Sequence, residues 1–532
     1  MVAVLVSRLL GLVRDRLLAS TFYIEGSQWQ LDVYFAAFRI PDMIFQLLVL
    51  GALSAAFIPV YSHFLSKKEK EAQELARSVI TLSVIGFSCV AIGIYIFAYP
   101  LSNLIAPDFD PIELELMANL TRIMLFAQFF FVISNFYTGI LQSHQRFLIP
   151  AIAPILYNVG IIFGITVLSP YINIYGPAVG VVIGAILHLL IQIPIAYTIG
   201  FSYRPKANIK HKGVRQIGKL MLPRTAALAV TQLELTIAVF LSSSLADGSL
   251  SIFYFAQHLQ ALPVGLFGLT IGQAALPMLS KEDHNIKRFQ ELFLSSFKQI
   301  LYFALPACVL LLVLRVPLVR IAYGAKSFPW DATLLTGRVV AAFAISVAAL
   351  AVIQLLIRAF YALQDTITPL VVGAFSVFLN VVLAIWFIKG MQMDVVGLGL
   401  AVSIAGIVQA VILFIALNHK VKTFPPSCYL PSLIKMLTAT ALTAIFLWLP
   451  MRFLDTYILD TTRTIELVIL TVVTSGIGFS VYVIFSKILQ IEEMDQFLAI
   501  LKKFGSWKKI LSESGEAVGE TASPQSAVIT ED

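Results

Sequence analysis

Apolar runs of about a bilayer's length recur along the whole chain. They fall near 2–22, 33–62, 77–104, 118–142, 150–169, 175–199, 214–242, 250–279, 291–319, 333–362, 367–388, 394–417, 430–450 and 463–487. Each holds roughly 20 residues or more, enough to cross a ~30 Å hydrocarbon core, and none alternates with the period of two that barrel strands show. In lipid, every backbone N–H and C=O must find its partner within the protein, so such runs fold as helices. A content of 59% hydrophobic and 13% charged residues, with a mean hydropathy of +0.88, excludes an ordinary soluble domain. The expected fold is an all-α polytopic membrane protein of about 14 transmembrane helices.

Loop charge orients these helices. With the N-terminus in the cytoplasm, the loops 66–77, 203–219, 280–288 and 419–422 lie inside, and inner loops carry about 16 Lys and Arg against about 5 outside. Both termini are therefore expected in the cytoplasm. The first run is retained rather than cleaved as a signal, because Arg8, Arg14, Asp15 and Arg16 interrupt it. The net charge of +7 follows from the loop asymmetry and gives no ground for a nucleic-acid partner. Cys89, Cys308 and Cys428 lie far apart without metal-ligand spacing, so neither a metal site nor a disulfide framework is expected. The acidic stretch 106–117 reads as a solvated loop with a helix start, and the basic stretch 203–219 as a topology anchor. Beyond the last run, 494–510 is amphipathic and basic, suited to the inner membrane interface, and 513–532 has the composition of a disordered tail.

An internal echo organises the runs. "GALSAAFIPVYSHFLSK" (51–67) resembles "TIGQAALPMLSKED" (270–283), with Pro59 and Pro277 about 218 residues apart, and "GILQSHQRFLIPAIAPILYNVG" (139–160) is echoed by 362–382. Six helices separate equivalent positions. The division implied is a six-helix half over 1–200, a second half in the same orientation over 201–422, two extra helices over 423–487, and a cytoplasmic segment over 488–532. Parallel halves of this kind enclose a central cavity and rock about a midplane site, which is a transporter architecture. A membrane-embedded glycosyltransferase would need a nucleophile–base pair or a His/carboxylate cluster at a membrane face, and the sequence offers none, so no enzymatic activity is expected.

Charges inside the first two runs point to the cavity. In "SRLLGLVRDRLLAS" (7–20), Ser7, Arg8, Gly11, Arg14 and Asp15 share a ~120° arc at ~100° per residue, while the leucines cover the opposite side. Arg16 lies outside that arc and reads as a snorkelling or helix-packing residue. In the second run, Asp32 and Arg39 are two turns apart on one face. Each intramembrane charge costs on the order of 2.5–3.5 kcal/mol on insertion scales, so these residues either line a wet cavity or form interhelical ion pairs that lock the fold. Guanidinium forks match phosphate and pyrophosphate oxygens, which makes a phosphorylated lipid the natural ligand and a cationic drug a poor one.

"SRLLGLVRD" (7–15), "DVYFAAFRIPDMIFQLLVLGALSAAFIPVYSHF" (32–64) and "YFAQHLQALPVGLFGLTIGQAALPMLSK" (254–281) resemble the corresponding stretches of the MurJ (MviN) family, within the multidrug/oligosaccharidyl-lipid/polysaccharide superfamily. The resemblance extends to about residue 490. It implies a cation-lined cavity and flipping of lipid II, the undecaprenyl-pyrophosphate-linked disaccharide-peptide precursor of peptidoglycan, from the inner to the outer leaflet of the bacterial cytoplasmic membrane. At matching positions it implies substrate contacts from Arg8, Arg14, Asp15 and Asp32, and a lipid-tail groove over 430–487. The expected partners are this lipid-linked pyrophosphate and membrane lipids, the protein acting as a monomer. No cofactor is implied, only a coupling ion, Na+ or H+, or the membrane potential.

The sequence departs from the family at four cavity positions. Phe45, Leu50, His258 and Ala261 stand where many members carry charges. Arg39 compensates on the second helix, and His258 either supplies positive charge on the eighth or packs as a hydrogen-bonded imidazole. Glu234 in "TQLELTIAVF" and, more weakly, Asn380 are the candidates for a coupling-ion site; Glu234 reads equally as a structural group. A flippase for another polyprenyl-linked glycan and a drug exporter of the wider superfamily remain as alternatives.

Overall fold

The computed structural model describes residues 2–50, 56–282, 284–324, 328–422, 424–459 and 463–494. The stretches 495–510 and 513–532, and the side chain of Leu50, lie outside the described residues. Among the described residues every element is helical. In chain order the helices are α1 (Val2–Phe22), α2 (Gln28–Ala37, continued by Arg39–Phe45 and Ile58–Lys67), α3 (Glu69–Ile96), α4 (Pro111–Ser143), α5 (Leu148–Ile172), α6 (Tyr175–Thr198) and α7 (Lys212–Ser242). They continue with α8 (Ser249–Lys281), α9 (Ile286–Val313), α10 (Trp330–Ala344 and Val347–Ala362, bent by 45°), α11 (Ile367–Gly390), α12 (Val395–Lys420), α13 (Pro426–Tyr457) and α14 (Thr464–Ile488). Ten helices among the described residues are long and apolar enough to cross a membrane, eleven when the bent pair of α10 counts as one span. The sequence suggested about fourteen. The three runs outside this count are α1, whose four charges dilute its apolar surface, α2, which is broken, and α7, whose apolar part is only Leu228–Ser242.

Local chemistry sets the helix ends. The acidic stretch 106–117 becomes the start of α4: Pro111 occupies the first turn and the Asp110 N–H donates to Glu113 Oε2 at 2.8 Å, a reciprocal cap. Two tight helix ends recur at the same sequence offset of about 219 residues. Gln145 and Gln364 both adopt the left-handed conformation, at φ 60 and 56, and the following N–H donates back to a carbonyl five residues upstream, Arg146 to Leu141 and Asp365 to Phe360, each at 2.9 Å. Asn173 and Gln392 repeat the left-handed conformation, at φ 48 and 53. Asp365 then caps α11 through the Ile367 and Thr368 N–H groups and pairs with Lys420 at 2.5 Å. Partial burial opposes ionisation there, yet these donors hold the Asp365 carboxyl down at about 2.

Glycines set the spacing of α5 and α6. A β-carbon at Gly180 would lie 2.8 Å from the Gly160 carbonyl oxygen, and one at Gly164 would lie 2.7 Å from the Gly180 α-carbon, so the two backbones touch. Asn158 is two residues, roughly 200°, around α5 from Gly160 and therefore faces away from this seam, toward α1. Gly180→Val is expected to cost at least about 1–3 kcal/mol through overlap with backbone, seen as a lower unfolding temperature and lost monodispersity in detergent. Gly218→Ala, where nothing lies within 4 Å, is expected to change neither.

The apolar core is shared at one end of the bundle and divided at the other. Leu18, Phe22 and Tyr23 of α1 and its exit pack in one cluster with Phe253 and Phe255 of α8, with Tyr323, and with Phe328. At the opposite end Phe57, Tyr61, Ala76 and Ile140 form one cluster, and Phe293, Leu356, Leu413 and Met436 another. Arg14 and Asp15 of α1 and Arg39 and Asp42 of α2 lie between the shared end and the divided one.

Candidate functional site

A cavity of about 260 Å³ lies between α1, α2, α5, α7 and α8. Its polar wall begins on α1. Arg14 donates from Nε and Nη2 to Asp15 Oδ1 at 2.9 and 2.8 Å, and from Nη1 to Asn158 Oδ1 at 3.2 Å. Asn158 is itself held by the carbonyls of Pro154 and Ser7, at 3.0 and 3.3 Å. The second oxygen of Asp15 lies 2.8 Å from His258 Nδ1, so this carboxylate is shared between a guanidinium of its own helix and an imidazole of α8. Asp15 is 4% exposed, whereas Arg14 at 21% and His258 at 34% reach the cavity. Any anion entering there meets a guanidinium and an imidazole already oriented by a buried acid.

Arg39 forms the second polar position. It is 4% exposed and crosses to α7, where Nε donates to Thr236 Oγ1 at 3.1 Å and Nη2 donates to Gln232 Oε1. Asp42, one turn on, is 4.0 Å from Arg39 Nη1. An aromatic wall of Tyr34, Phe35, Phe38, Tyr157 and Tyr254 joins the two positions, with the Phe35 and Tyr254 rings stacked at 5.1 Å between centroids. Two guanidinium groups and two carboxylates line the cavity, together with the His258 imidazole.

Several residues singled out in the sequence are placed elsewhere. Asp32 does not line the cavity. It is 4% exposed and is spent on the start of α8: its oxygens accept from the N–H groups of Gly248 and Ser251 at 2.8 Å, from the Leu250 N–H at 3.4 Å, and from the Ser251 hydroxyl at 2.5 Å. A helix N-terminus carries partial positive charge and unpaired donors, which a buried carboxylate satisfies. Arg8 is also outside the cavity lining and lies over Gly265, where a β-carbon would meet its guanidinium at 3.0 Å. The Ser7 side chain does not line the cavity; its backbone carbonyl holds Asn158. Arg16 packs rather than snorkels: it donates to the Ile321 carbonyl at 2.6 Å and the Gly324 carbonyl at 3.3 Å, at the end of the helix Arg315–Tyr323. Phe45 is buried in the cluster around Phe57 and Tyr61, away from the cavity.

Glu234 and Asn380 come together. Asn380 Nδ2 donates to Glu234 Oε1 at 3.2 Å, joining α7 to α11 away from the main cavity. Among the described residues no group of three or more His, Cys, Asp or Glu side chains is disposed to hold a metal ion. Asn158, Asp42, Gln257 and the tyrosines escaped the sequence reading. Asn158 had a signal, as a lone amide in the apolar stretch "ILYNVGIIF"; Asp42 had one in its i+3 spacing from Arg39. The tyrosines had none, since aromatic residues in an apolar helix are ordinarily core.

A second cavity, about 200 Å³ and mostly apolar, lies between α8, α9, α13 and α14, lined by Phe267, Phe303, Leu310, Leu447, Phe479 and Tyr482 among others.

The family described as "Lipid II flippase MurJ" matches residues 20–467. A probable lipid II flippase MurJ of Thermotoga maritima is 29% identical over 92% of this chain and 96% of its own length. Another, from Buchnera aphidicola subsp. Acyrthosiphon pisum, is 31% identical over 71% of this chain and 74% of its own. A solved structure titled lipid II flippase MurJ, inward closed conformation, superposes with a TM-score of 0.75 at 28% identity, covering 92% of this chain and 97% of that one. A multidrug resistance MATE family transporter of the MOP superfamily shares the fold, with a TM-score of 0.65 at 14% identity over 78% of this chain and 94% of its own.

Proposed function

The chain belongs to the lipid II flippase MurJ family, and from that premise we propose that it carries lipid II across the bacterial inner membrane with the pyrophosphate held between Arg14 and His258. It is a multi-pass membrane transporter and not an enzyme. The observation that carries the site assignment is the Arg14–Asp15–His258 chain: a buried acid orients a guanidinium and an imidazole from different helices toward one space. A pyrophosphate there replaces Asp15 as the partner of both cations, and so exchanges the tie between α1 and α8 for a tie to substrate. The two parallel six-helix halves, α1–α6 and α7–α12, rock about this site. The end sealed by Tyr23, Asp32 and Arg16 faces outward, both termini being cytoplasmic. The divided end then receives the lipid from the inner leaflet, where Arg8 meets it first, and the apolar cavity beside α13 and α14 takes part of the tail. The protein works as a monomer without a cofactor.

The test is flipping of a labelled lipid II in vesicles. His258→Arg is expected to keep at least half of the flux, because a guanidinium stays charged, and His258→Gln to lose about tenfold, because it keeps a hydrogen bond and loses the charge. A Gln variant with full flux rules out a charged contact at this position. Absence of flux from the parental protein, with proper insertion, rules out the substrate assignment itself.

Coupling is assigned to Glu234 with Asn380, where Na+ or H+ exchange would break or make a tie between α7 and α11. Glu234→Gln is expected to leave flux no longer responsive to an imposed Na+ or H+ gradient. Unchanged gradient dependence in that variant removes Glu234 from coupling and leaves the membrane potential as the source.

A further inference from the structure

The two acids of the central cavity are not equally satisfied. Asp15 accepts three contacts at 2.8–2.9 Å, from Arg14 and His258. Asp42 has no partner that near: Arg39 is 4.0 Å away and Gln46 Nε2 is 3.5 Å away. Its side chain is 35% exposed, while Arg39, its nominal counterion, is turned to Thr236 and Gln232 of α7. A carboxylate left so loosely held in a cavity that takes an anion repels the phosphates unless another part of the ligand donates to it. Asp42 and Arg14 are both on the wall of one cavity, and Tyr254 and Phe38 are on the same wall. An acid beside half-buried aromatic rings on one cavity wall suits a sugar: hydroxyl or amide N–H groups donate to the carboxylate while the apolar face of the sugar packs on the aromatics.

We propose that Asp42, with Tyr254 and Phe38, forms a glycosyl subsite that reads the sugar attached to the pyrophosphate, so that this acid sets selectivity for glycosylated over bare polyprenyl pyrophosphate. The proposal rests on the pyrophosphate lying at Arg14 and His258. The bare lipid satisfies the cations and leaves Asp42 facing phosphate with nothing to accept. The glycosylated lipid satisfies both. Asp42 thus acts as a filter against substrate that has not been glycosylated.

The experiment compares flux of three labelled lipids in vesicles: bare polyprenyl pyrophosphate, the same lipid bearing a disaccharide without peptide, and the complete disaccharide-peptide lipid. The parental protein is expected to prefer both glycosylated lipids over the bare one, and Asp42→Ala is expected to lower that preference about tenfold, with Asp42→Asn in between because it keeps one acceptor oxygen. Tyr254→Leu, which removes the ring face and no charge, is expected to lower the same preference. Equal losses on all three lipids mean that Asp42 serves only to position Arg39 and overturn the proposal, as does an unchanged preference. A loss confined to the peptide-bearing lipid assigns Asp42 to an ammonium of the peptide and overturns it as well. If the parental protein moves none of the three, the pyrophosphate assignment has failed, an outcome separate from any effect of Asp42.

Discussion

Arg14→Ala is expected to reduce lipid II flux at least about 100-fold while the protein inserts and expresses normally. Two charge-assisted hydrogen bonds to a phosphate, each worth about 1.5–3 kcal/mol, are lost, and removal of an intramembrane charge eases insertion. The loss has a second part. Without Arg14, Asp15 keeps His258 as its one close partner, so the buried acid binds the imidazole more firmly and yields it less readily to substrate. Arg14→Lys is expected to recover part of the flux but to stay about tenfold short, because an ammonium cannot span Asp15 and Asn158 as the fork does. Arg8→Ala is expected to be milder, since Arg8 lies over Gly265 outside the cavity lining. The measurement is initial rate in vesicles at matched protein density. An alanine variant at position 14 within threefold of the parent would show that the guanidinium is structural.

Asp32→Ala is expected to be nearly as damaging for a different reason. It removes the acceptor for three backbone N–H groups and one hydroxyl at the buried start of α8, leaving those donors unpaired at a cost of about 1–3 kcal/mol each where water does not enter. The end of the bundle closed by Tyr23, Phe255 and Phe328 then has lost its polar fastening. In a cysteine-free background carrying Ser20→Cys, labelling by a membrane-impermeant maleimide is expected to rise at least fivefold with Asp32→Ala, and flux to fall about 30-fold or more. Asp32→Asn, which retains one acceptor oxygen, is expected to fall between. Parental labelling together with parental flux would mean that the apolar packing alone closes this end.

These two outcomes separate residues that the sequence could not. Arg14 and Asp32 look alike in one dimension, each a charge in an apolar run, each on a face with another charge. Their roles diverge because one meets open space beside α8 and the other meets the first turn of the same helix. The same holds for Glu234 and Asn380, both conspicuous as polar residues in apolar helices, whose meeting at 3.2 Å joins positions 146 residues apart.

The sequence by itself determined the class of the fold and the family. Apolar length forces helices where backbone groups have no water to bond, and the ~100° step per residue says which charges of α1 share a face. It also marked the chemistry of the ligand, since guanidinium groups inside a membrane suit phosphate. Only the tertiary structure decided which polar residue meets which. Helical periodicity fixes the direction of a side chain relative to its own axis and carries no information on what stands opposite. The Asp15–His258 pair joins residues 243 apart, the glycine seam that brings α5 against α6 depends on two backbones in contact, and Asp32 became a cap because packing placed the unpaired donors of α8 against it. Inside a bilayer an unpaired polar group is costly whichever partner satisfies it, so the sequence reveals that a partner must exist, and the packing of the helices selects it.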